Sequence, residues 1–401
     1  MIRHFILDAF VLAGVLIALA TLPGTLELLF LTLGGVLPRR KFEHGPHKSV
    51  AHRTAFVVPA HDEESVIEAC IKSLLACDQS DGVAPIFVVA DNCTDRTNEF
   101  ALRAGATVLV RTDSTRRGKG YALDFAFETL AGLEFNRFIV VDADSSVTPD
   151  LLRAVNEKFD AGADAIQCRY KVRNASESTR TRWMNIALMA FNVLRPRGRD
   201  RLGLSAGILG NGFALSRETL EQVPYHAVSV VEDLEYHIRL VEAGLKVRFV
   251  DTATVYGEMP TGGKGVSTQR ARWEGGRFRM AAKFVPQLLG DVLTGKLRLL
   301  EPLGDLLLLP LAFHVALVLL VLMTPLWPVR LYAACALGVV AVHVLATIVV
   351  CGGNWRDLGA LFSAVFYLLW KVRTIPALLR NASGNAAWVR TERARLNGVP
   401  K

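Results

Sequence analysis

Two aspartates, Asp142 and Asp144, follow directly after a short apolar segment, Phe138–Val141. The segment is rich in β-forming residues and predicts a buried strand of a parallel sheet. Side chains alternate along a strand, so the two carboxylates are expected to point the same way. Their oxygens suit Mg²⁺ or Mn²⁺, which usually share their coordination shell with substrate phosphates. The alternative is a solvated turn with an aspartate cap, to which the following Ser145 and Pro149 are equally suited.

Apolar segments alternate with helical patterns from Thr54 onward, which predicts an α/β fold with a doubly wound, mostly parallel sheet. The predicted strands are Thr54–Ala60, Pro85–Ala90, Thr107–Arg111, Phe138–Val141, Ala163–Val172 and Lys246–Val255. The predicted helices are Glu63–Cys77 with Asp62 as N-cap, Thr94–Ala104, Lys119–Leu133, Thr179–Leu194 and Glu232–Ala243. Ligands of such sheets bind beyond the carboxyl ends of the strands. The polar clusters found there are His61-Asp62-Glu63, Asp91-Asn92, Arg117-Gly118-Lys119-Gly120 and Asp142-Ala143-Asp144. Their convergence indicates one site.

The glycine pattern disfavours two common nucleotide-binding classes. No G-x-G-x-x-G follows the first strand, and Gly118-Lys119-Gly120 lacks the frame of a P-loop, which argues against dinucleotide oxidoreductases and P-loop NTPases. The net charge is +8, and the basic residues cluster beside apolar segments, which favours a membrane surface and no nucleic-acid partner. The six cysteines show no CxxC pair and no zinc spacing, so we expect reduced, mostly buried thiols.

Residues 1–38 predict a membrane anchor, because Phe5–Val36 is almost continuously apolar and a bilayer crossing needs about 20 residues. A signal peptide is the alternative, but the run is too long for an ordinary signal core and no clear cleavage site precedes the basic stretch. A basic linker covers residues 39–53. By the positive-inside rule this flank is cytosolic, which predicts an integral protein of the cytoplasmic (inner) membrane with its catalytic domain in the cytosol.

Residues 281–401 predict further membrane contacts. Lys283–Leu300 is basic and amphipathic, and two apolar runs, Leu306–Met323 and Leu331–Val350, qualify as membrane spans. A third run, Leu358–Trp370, is short and precedes a basic tail, so we expect an interfacial or re-entrant helix, with a tilted third span as the alternative. The arginine-flanked helix Thr179–Leu194 is also expected to lay its apolar face on the bilayer.

Three further motifs follow the first half of the sheet. Ile208–Phe213 is a glycine-rich turn that would let a substrate approach closely. The pair Glu232-Asp233 opens a predicted helix, whose dipole would lower the pKa of Asp233 and keep it ionised. Gln269–Trp273 lies on a predicted helix, where its first, fourth and fifth residues share a face. The alternatives are an N-cap role for Asp233 and a core position for Trp273.

Together these motifs resemble those of membrane-bound family 2 glycosyltransferases, a GT-A fold group that includes cellulose, hyaluronan and chitin synthases and related bacterial polysaccharide or glycolipid glycosyltransferases. The motifs that carry the resemblance are Val57–Glu63, Asp91–Asp95, Arg117–Gly120, Asp142–Asp144, Glu232-Asp233 and Gln269–Trp273. Each is weak alone, but six in the family's order and approximate spacing are specific. The resemblance covers roughly Thr54 to Trp273, and it departs from the pattern at Ala90, where many members carry an acidic residue.

The resemblance implies a role for each motif. The donor-binding residues would be Pro59, Ala60, His61, Glu63, Asp91, Lys119, Asp142, Ala143 and Asp144. Asp144, assisted by Asp142, would hold Mg²⁺ or Mn²⁺. The residues that bind the acceptor or the diphosphate would be Gly210, Asn211, Glu232, Gln269, Arg272 and Trp273. Asp233 would be the catalytic base on the acceptor hydroxyl.

The implied activity is inverting, metal-dependent transfer of a sugar from a nucleotide-sugar donor, UDP-linked, to a lipid-linked or polysaccharide acceptor at the cytoplasmic membrane face. The residue types agree with it. A metal on Asp144, with Lys119 and Arg272, would stabilise the negative charge of a departing nucleoside diphosphate, and a nearby carboxylate can take the acceptor proton. The resemblance assigns residues 54–280 to the glycosyltransferase domain.

Three alternatives stay open on the sequence. Gln269–Trp273 favours a processive polysaccharide synthase, whereas the few spans argue against a self-contained polymer channel. A nucleotidyltransferase on a similar sheet would not explain Glu232-Asp233. A non-enzymatic membrane scaffold would not need Asp142, Asp144 or Asp233. Membrane lipids are expected partners, and the residues leave open whether the protein forms a homo-oligomer or works with partner export proteins.

Overall fold

The structure, a computed structural model, describes residues 2–38, 53–80, 82–226, 229, 231–259 and 264–363, and only the backbone of residues 2–4 and 264–274. The strands are β1 (Thr54–Ala60), β2 (Ile86–Asp91), β3 (Thr107–Arg111), β4 (Arg137–Val140), β5 (Ser146–Val147), β6 (Ala165–Val172), β7 (Phe213–Ser216) and β8 (Val247–Gly257). The first helices are α1 (Ile2–Val36), α2 (Ile67–Leu75), α3 (Thr97–Arg103), α4 (Lys119–Leu130), α5 (Leu151–Asp160), α6 (Thr179–Met189) and α7 (Arg195–Arg201). The later helices are α8 (Arg217–Gln222), α9 (Glu232–Glu242), α10 (Lys264–Leu293), α11 (Leu300–Leu307), α12 (Leu311–Leu322), α13 (Trp327–Val350) and α14 (Trp355–Ala360).

The eight strands form one sheet in the order β3-β2-β1-β4-β7-β6-β8-β5. The first four strands pair in parallel, β7 runs antiparallel to both β4 and β6, and β6 and β8 are again parallel. The α/β class is therefore confirmed, with a sheet that is mixed rather than wholly parallel. Because β1, β2 and β4 are parallel neighbours, their carboxyl ends share one edge.

The sheet is covered on both faces, which explains why its central strands are almost continuously apolar. Val57 of β1 and its pairing partner Val140 of β4 point into one core, together with Leu123 of α4. Phe56 and Ile139, one residue earlier on the same strands, point into a second core on the opposite face. This alternation fixes the register, since a shift of one residue would exchange the two cores.

Two predicted strands have the boundaries expected from the sequence, and two observed strands are not in the prediction. Thr54–Ala60 and Thr107–Arg111 are confirmed. Phe213–Ser216, whose beginning the sequence places in a glycine-rich turn, is instead the antiparallel strand beside β4. The two-residue strand Ser146–Val147 pairs antiparallel with β8 at the sheet edge.

The predicted N-cap at Asp62 is wrong. The helix begins at Ile67, and its N-cap position is held by Val66. Asp62 has a φ of 54°, and its carboxylate accepts hydrogen bonds from the backbone N–H groups of Thr94 and Asp95, at 2.6 and 3.3 Å. The side chain therefore joins the loops after β1 and β2 instead of capping a helix.

The helix that begins at Thr179 is longer than predicted and does not lie on the bilayer. It continues through a π-helical turn, Ala190–Leu194, into α7. Its apolar residues Ile186 and Met189 are buried in the same core as β1 and β4. The predicted lipid contact of this face is therefore wrong, since the protein itself covers it.

Two helices among the described residues are long and apolar enough to cross a membrane, Phe5–Val36 within α1 and Trp327–Val350 as α13. The predicted span Leu306–Met323 is not one continuous helix. It breaks between α11 and α12, and the segments Leu297–Leu307 and Leu311–Leu322 are bent by 79°. Pro310 explains the break, because proline disfavours helical conformation in the residue before it and lacks an N–H donor.

Small and hydroxyl-bearing residues of α1 face the other helices. A β-carbon at Gly14 would lie 2.2 Å from the Thr324 hydroxyl, so α1 approaches the end of α12 closely. The Thr32 hydroxyl lies 2.8 Å from Nδ1 of His343 on α13. Leu16, on the other side of α1, is 57% exposed and suits contact with lipid.

Basic side chains of the α/β domain bind the carboxyl ends of both long apolar helices. Arg201 donates to the carbonyls of Gly35, at 2.7 Å, and Leu37. The end of α13 receives three such groups, Arg197 on the Val350 carbonyl and both Arg169 and Lys171 on the Cys351 carbonyl. Cations at a helix carboxyl end are favourable, and here they fix α1 and α13 to the same side of the domain.

A buried ionic cluster joins α1 to three other helices. Asp305 of α11 accepts hydrogen bonds from Arg195 and Arg199 of α7 and from Arg277 of α10, and both α7 arginines also reach Glu27 of α1. Contact is closest at Gly198, where a β-carbon would lie 2.3 Å from the Leu31 carbonyl. Arg195 and Arg199, two of the arginines that flank the helix predicted to lie on the bilayer, are therefore buried and paired.

Two predicted segments lie mostly or partly outside the described residues. Of the basic linker over 39–53, only Arg53 is described. The predicted interfacial helix Leu358–Trp370 is described up to Ser363, where α14 and a short 3₁₀ turn, Leu361–Ser363, end. Its relation to the membrane stays a prediction.

Candidate active site

The donor-side residues predicted from sequence meet at the edge where β1, β2 and β4 end. Pro59 and Ala60 are the last two residues of β1, and Asp91 is the last residue of β2. Asp142 and Asp144 follow β4 as partly exposed residues, with Ala143 buried between them. The expected alternation of this segment is therefore present at the sheet edge.

Lys119, the first residue of α4, connects the two halves of the site. Its ammonium group donates to the carboxylate of Asp142 and to the backbone carbonyl of Gly210. Burial lowers the pKa of Lys119, but the charges of Asp142, Glu232 and Asp233 outweigh burial and raise it overall. The side chain is therefore a fixed cation among carboxylates at neutral pH.

Asn211 fixes the Asp142–Asp144 turn through both ends of its amide. Its Oδ1 accepts the backbone N–H of Asp142 at 3.0 Å, and its Nδ2 donates to the Ser145 hydroxyl at 2.9 Å. The Ser145 hydroxyl in turn donates to Asp144 at 3.3 Å. Sequence reasoning assigned Asn211 to the acceptor or diphosphate, whereas its described contacts are those of a residue that orients both aspartates.

Gln167, which the sequence analysis missed, binds the backbone of the glycine-rich segment through its side-chain amide. Its side chain is fully buried on β6, its Nε2 donates to the carbonyls of Asn211 and Gly212 at 2.8 and 3.2 Å, and its Oε1 accepts the N–H of Leu209 at 2.8 Å. The available signal was a polar residue within a predicted buried strand, where an amide needs partners.

Asp91 is buried and bound to Arg111, a second residue that sequence reasoning missed. The two side chains are 2.7 Å apart and each is less than a tenth exposed. The ring nitrogen Nδ1 of His61 lies 2.7 Å from the Asp91 carbonyl, and the backbone N–H of Glu63 donates to the Thr97 hydroxyl at 2.7 Å. These contacts join the loops after β1 and β2 into one wall.

Glu232 and Asp233 begin α9, and Asp233 faces the glycine-rich segment. A β-carbon at Gly210 would lie 3.1 Å from Oδ2 of Asp233, so any side chain at this position would crowd that carboxylate. Gly210 has a φ of 79°, which side chains with a β-carbon rarely adopt. The segment therefore lies between Asp233 on one side and Lys119 with Asp142 on the other.

The expected lowering of the Asp233 pKa is wrong. Burial raises it, although the N–H of Leu234 and the charge of Lys119 act in the opposite direction. Burial and the charge of Asp233 likewise raise the pKa of Glu232 to about 7. A helix dipole is worth about 0.3–1 kcal/mol, less than one pKa unit, whereas burial can shift a carboxyl by up to about 3–5 units. Burial therefore decides the direction.

The donor set of the Asp142–Asp144 turn fits a hard divalent cation. It offers two partly exposed carboxylates on one side of the chain, held by Lys119, Asn211 and Ser145. Mg²⁺ is commonly held by one or two carboxylates, with phosphate oxygens and water completing the shell. Such a shell needs no third protein ligand.

The remaining predicted residues are placed only by their backbone. Gln269, Arg272 and Trp273 lie on α10, as the sequence predicts, but their side chains lie outside the described part of the chain. Their assigned contacts with acceptor or diphosphate stay predictions. The rest of α10 packs near α9, since a β-carbon at Gly276 would lie 2.7 Å from Val231.

Comparison with known proteins identifies the family to which this chain belongs. The family model described as glycosyltransferase like family 2 matches residues 52–276. A probable glycosyltransferase of Bacillus subtilis is 29% identical over 59% of this chain and 57% of its own length. A beta-monoglucosyldiacylglycerol synthase of Synechocystis is 30% identical over 57% of this chain and 48% of its own length. The chain spans about half the length of the curated relatives it matches.

Among solved structures, a mannosyltransferase from Pyrobaculum calidifontis in complex with GDP-mannose and Mn²⁺ is similar over 93% of this chain and 97% of its own, with a TM-score of 0.55 and 17% identity. This likeness concerns the fold, which is the GT-A arrangement predicted above. The family match covers more than half of the chain. The predicted fold class is thereby confirmed, and the chain belongs to the glycosyltransferase like family 2.

Proposed function

We propose that this enzyme transfers a sugar, with inversion, from a nucleotide-sugar donor, UDP-linked, to a lipid-linked acceptor at the cytoplasmic face of the membrane. The observation that carries the proposal is the cradle formed by Asp142, Lys119, Gly210 and Asp233, in which Lys119 binds both Asp142 and the Gly210 carbonyl and the carboxylate of Asp233 lies beside Gly210. It combines a cation for a leaving phosphate with a carboxylate for an attacking hydroxyl.

The donor end of the cradle would stabilise the leaving nucleoside diphosphate. Asp144 and Asp142 would hold a divalent ion, which neutralises phosphate charge when bound. Lys119 adds a permanent positive charge that is already in place before the reaction, so no reorganisation is needed as phosphate charge develops. Asn211 and Gln167 keep the two aspartates and the Gly210 carbonyl in position.

The acceptor end would remove the proton of the attacking hydroxyl. Burial makes the Asp233 carboxylate a stronger base than an ordinary aspartate, because it raises the pKa. A base with a pKa closer to the working pH accepts a proton more effectively in the transition state. The corrected pKa direction therefore supports the proposed role of Asp233 better than the predicted one.

The membrane helices support a lipid-linked acceptor. The carboxyl ends of α1 and α13 are both bound by arginines or lysine of the catalytic domain, which keeps the domain against the bilayer. The curated relatives of Synechocystis and Nostoc are named beta-monoglucosyldiacylglycerol synthases, a name that describes the synthesis of a glycolipid. A diacylglycerol-type or polyisoprenoid-type lipid would present its headgroup at the membrane surface, against which the catalytic domain is held.

The test uses the full-length protein in detergent or nanodiscs with Mg²⁺ or Mn²⁺. UDP-glucose, UDP-galactose, UDP-N-acetylglucosamine and GDP-mannose are each incubated with diacylglycerol or polyprenyl phosphate, and the release of nucleoside diphosphate and radioactive sugar in the lipid phase are measured. We expect one pair of donor and acceptor to give a glycolipid, and we expect EDTA to abolish its formation. Transfer of the nucleotidyl group with release of sugar 1-phosphate instead would indicate a nucleotidyltransferase.

A processive polysaccharide synthase is the second candidate, favoured by the Gln269–Trp273 motif on α10. Product length separates the two. A single-addition enzyme yields one glycolipid species at any ratio of donor to enzyme, whereas a processive enzyme yields long products from the first turnovers.

A further inference from the structure

Three basic side chains at the carboxyl end of α13 carry more positive charge than the described residues around them balance. Arg169, Lys171 and Arg197, called here the cationic cluster, all donate to the last carbonyls of this helix, at 2.9–3.0 Å. One carboxylate lies among them, that of Asp251, 2.7 Å from Arg197 and 3.9 Å from Arg169. A helix end is worth about half a negative charge, so more than one positive charge is left over.

The individual contacts of the cluster show the same surplus. The Nε–H groups of its two arginines are buried and have no acceptor among the described residues. Asp251 is shared with a further arginine, Arg201, at 3.8 Å, and a second acid nearby, Asp357, is bound to Arg182 at 2.9 Å. Burial lowers the pKa of Lys171, and the charges of the two cluster arginines lower it further. Buried cations are costly unless an anion balances them, so this site favours an anion.

The two longest stretches of the chain outside the described residues are too basic to supply that anion. Residues 39–52 carry four lysines or arginines and one acid, Glu43. Residues 364–401 carry seven lysines or arginines and one acid, Glu392. Both stretches add positive charge to the protein, so the anion is expected to come from outside the chain.

The position of the cluster indicates a membrane surface as the source. A β-carbon at Gly352, an exposed residue directly after α13, would lie 3.5 Å from Nζ of Lys171. Trp355, at the start of α14, is 75% exposed, and Phe362, just after α14, is 91% exposed. Exposed aromatic residues beside the end of an apolar helix are typical of the headgroup layer of a bilayer. The phosphates of lipids lie in the same layer.

The cluster is also separate from the candidate active site. Lys171 lies four residues beyond Gln167 on β6, and Gln167 binds the glycine-rich segment. At about 3.3 Å per residue along a strand, this places Lys171 about 13 Å farther along the sheet. The phosphates of a nucleotide-sugar donor at Lys119 and Asp142 would not reach it.

We propose that the cationic cluster binds the phosphate of an anionic phospholipid headgroup at the end of α13. The Lys171 ammonium group would donate to the phosphate, and the two arginines would add charge from behind. Hydrogen bonds between a cation and a phosphate are among the strong ones, and basic pockets beside membrane helices suit acidic headgroups. A bound lipid would join α13 to β6, so the composition of the membrane would affect how firmly the catalytic domain is held.

The test measures lipid binding to the full-length protein in detergent, without any donor. Phosphatidylglycerol is titrated and its retention is counted by native mass spectrometry. Phosphatidylcholine serves as a phosphate headgroup without net charge, and inorganic phosphate serves as a soluble anion. Lys171→Gln is compared with the matched control Arg356→Gln, which removes one exposed positive charge beside Trp355 and outside the cluster.

We expect Lys171→Gln to need about 5-fold more phosphatidylglycerol for the same occupancy, which corresponds to about 1 kcal/mol for one basic residue. Arg356→Gln should bind as the wild type does. Phosphatidylglycerol should raise the melting temperature of the wild type and of Arg356→Gln by about 2 °C, and that of Lys171→Gln by less. Lys171→Arg keeps the charge and should bind normally, which separates loss of charge from a fault in folding.

Three results would overturn the inference. Normal retention of phosphatidylglycerol by Lys171→Gln would show that the cluster holds no lipid. An equal loss in Lys171→Gln and Arg356→Gln would mean a diffuse attraction to the membrane surface rather than a site. Retention of phosphatidylcholine as strong as that of phosphatidylglycerol, or displacement of the lipid by millimolar inorganic phosphate, would exclude an anionic headgroup as the ligand.

Discussion

Gly210 leaves the carboxylate of Asp233 no room for a side chain on its near side, and this closeness limits the space of the proposed acceptor site. A β-carbon there would lie 3.1 Å from Oδ2 of Asp233. We expect Gly210→Ala to lower kcat at least 10-fold and to lower the free energy of unfolding by about 1–2 kcal/mol, because the φ of 79° is strained for alanine.

Gly203→Ala is the matched control, because Gly203 has a φ of 80° and no atom within 4 Å of its built β-carbon. It should show the same loss of stability and normal kcat. Equal loss of activity in both variants would mean that backbone strain, and not the contact with Asp233, limits the reaction.

The base is tested by Asp233→Asn, which keeps the size of the side chain and removes its ability to accept a proton. We expect kcat to fall about 10²-fold or more, with the donor KM nearly unchanged. Glu242→Gln, at the other end of the same helix, should have no such effect. A comparable rise in donor KM would make Asp233 a binding residue.

The contrast between expectation and structure at this residue shows what a sequence can reveal. The position of Asp233 at the start of a helix was readable from the pattern, because helix boundaries depend on neighbouring residues. Its burial was not, because it depends on the segment around Gly210, which lies in another part of the chain. Burial, the larger of the two opposing effects on the pKa of Asp233, therefore could not be predicted from local sequence, whereas the smaller effect of the helix dipole could.

A pH dependence is expected from Glu232. Its ordinary pKa is 4.5, and burial with the charge of Asp233 raises the folded-state pKa to about 7. Since the pKa is raised, its contribution to stability is greatest below about pH 4.5 and is lost as pH rises toward 7. Glu232→Gln should therefore become more stable relative to the wild type between about pH 5 and pH 8, in EDTA and without donor. A difference in unfolding free energy that is independent of pH would contradict this.

Metal dependence is expected to reside in the Asp142–Asp144 turn. Asp144→Ala should abolish transfer and leave the melting temperature within about 2 °C of the wild type, because the side chain is partly exposed and outside both cores. Asp150→Ala, nearby and without a side-chain cap contact, is the control and should stay active. Full turnover of the wild type in EDTA would refute a role for any divalent ion.

The topology of the membrane helices is testable by labelling. α12 runs antiparallel to α1. His314, near the start of α12, lies beside Gly24, and Thr324, just after its end, lies beside Gly14. We therefore expect the turn before α13 to face away from the catalytic domain, so that Leu326→Cys reacts with a membrane-impermeant thiol reagent in intact cells. Glu99→Cys, exposed on α3, should react only after permeabilisation. Labelling of Glu99→Cys from outside, with Leu326→Cys protected until permeabilisation, would reverse the proposed orientation.

The central strands were predictable because their apolar runs and bounding polar residues are local signals. Thr54–Ala60 illustrates this, with both ends as predicted. Phe213–Ser216 was missed because its role depends on pairing with β4, which lies more than 70 residues earlier. Arg195 and Arg199 were misplaced for a similar reason, since their partners Glu27 and Asp305 are more than 100 residues away.

The buried ion cluster has a consequence for how this protein can be divided. A helix that served only as a tether could be exchanged for any apolar helix of equal length. Here Glu27 supplies one of the carboxylates that balance Arg195 and Arg199, and Leu31 fits against Gly198. Cutting away the first helix would leave buried cations short of a partner and uncover the surface of α7. The anchor is therefore a structural component of the enzyme, and a soluble version would need a redesigned α7 as well as a deletion.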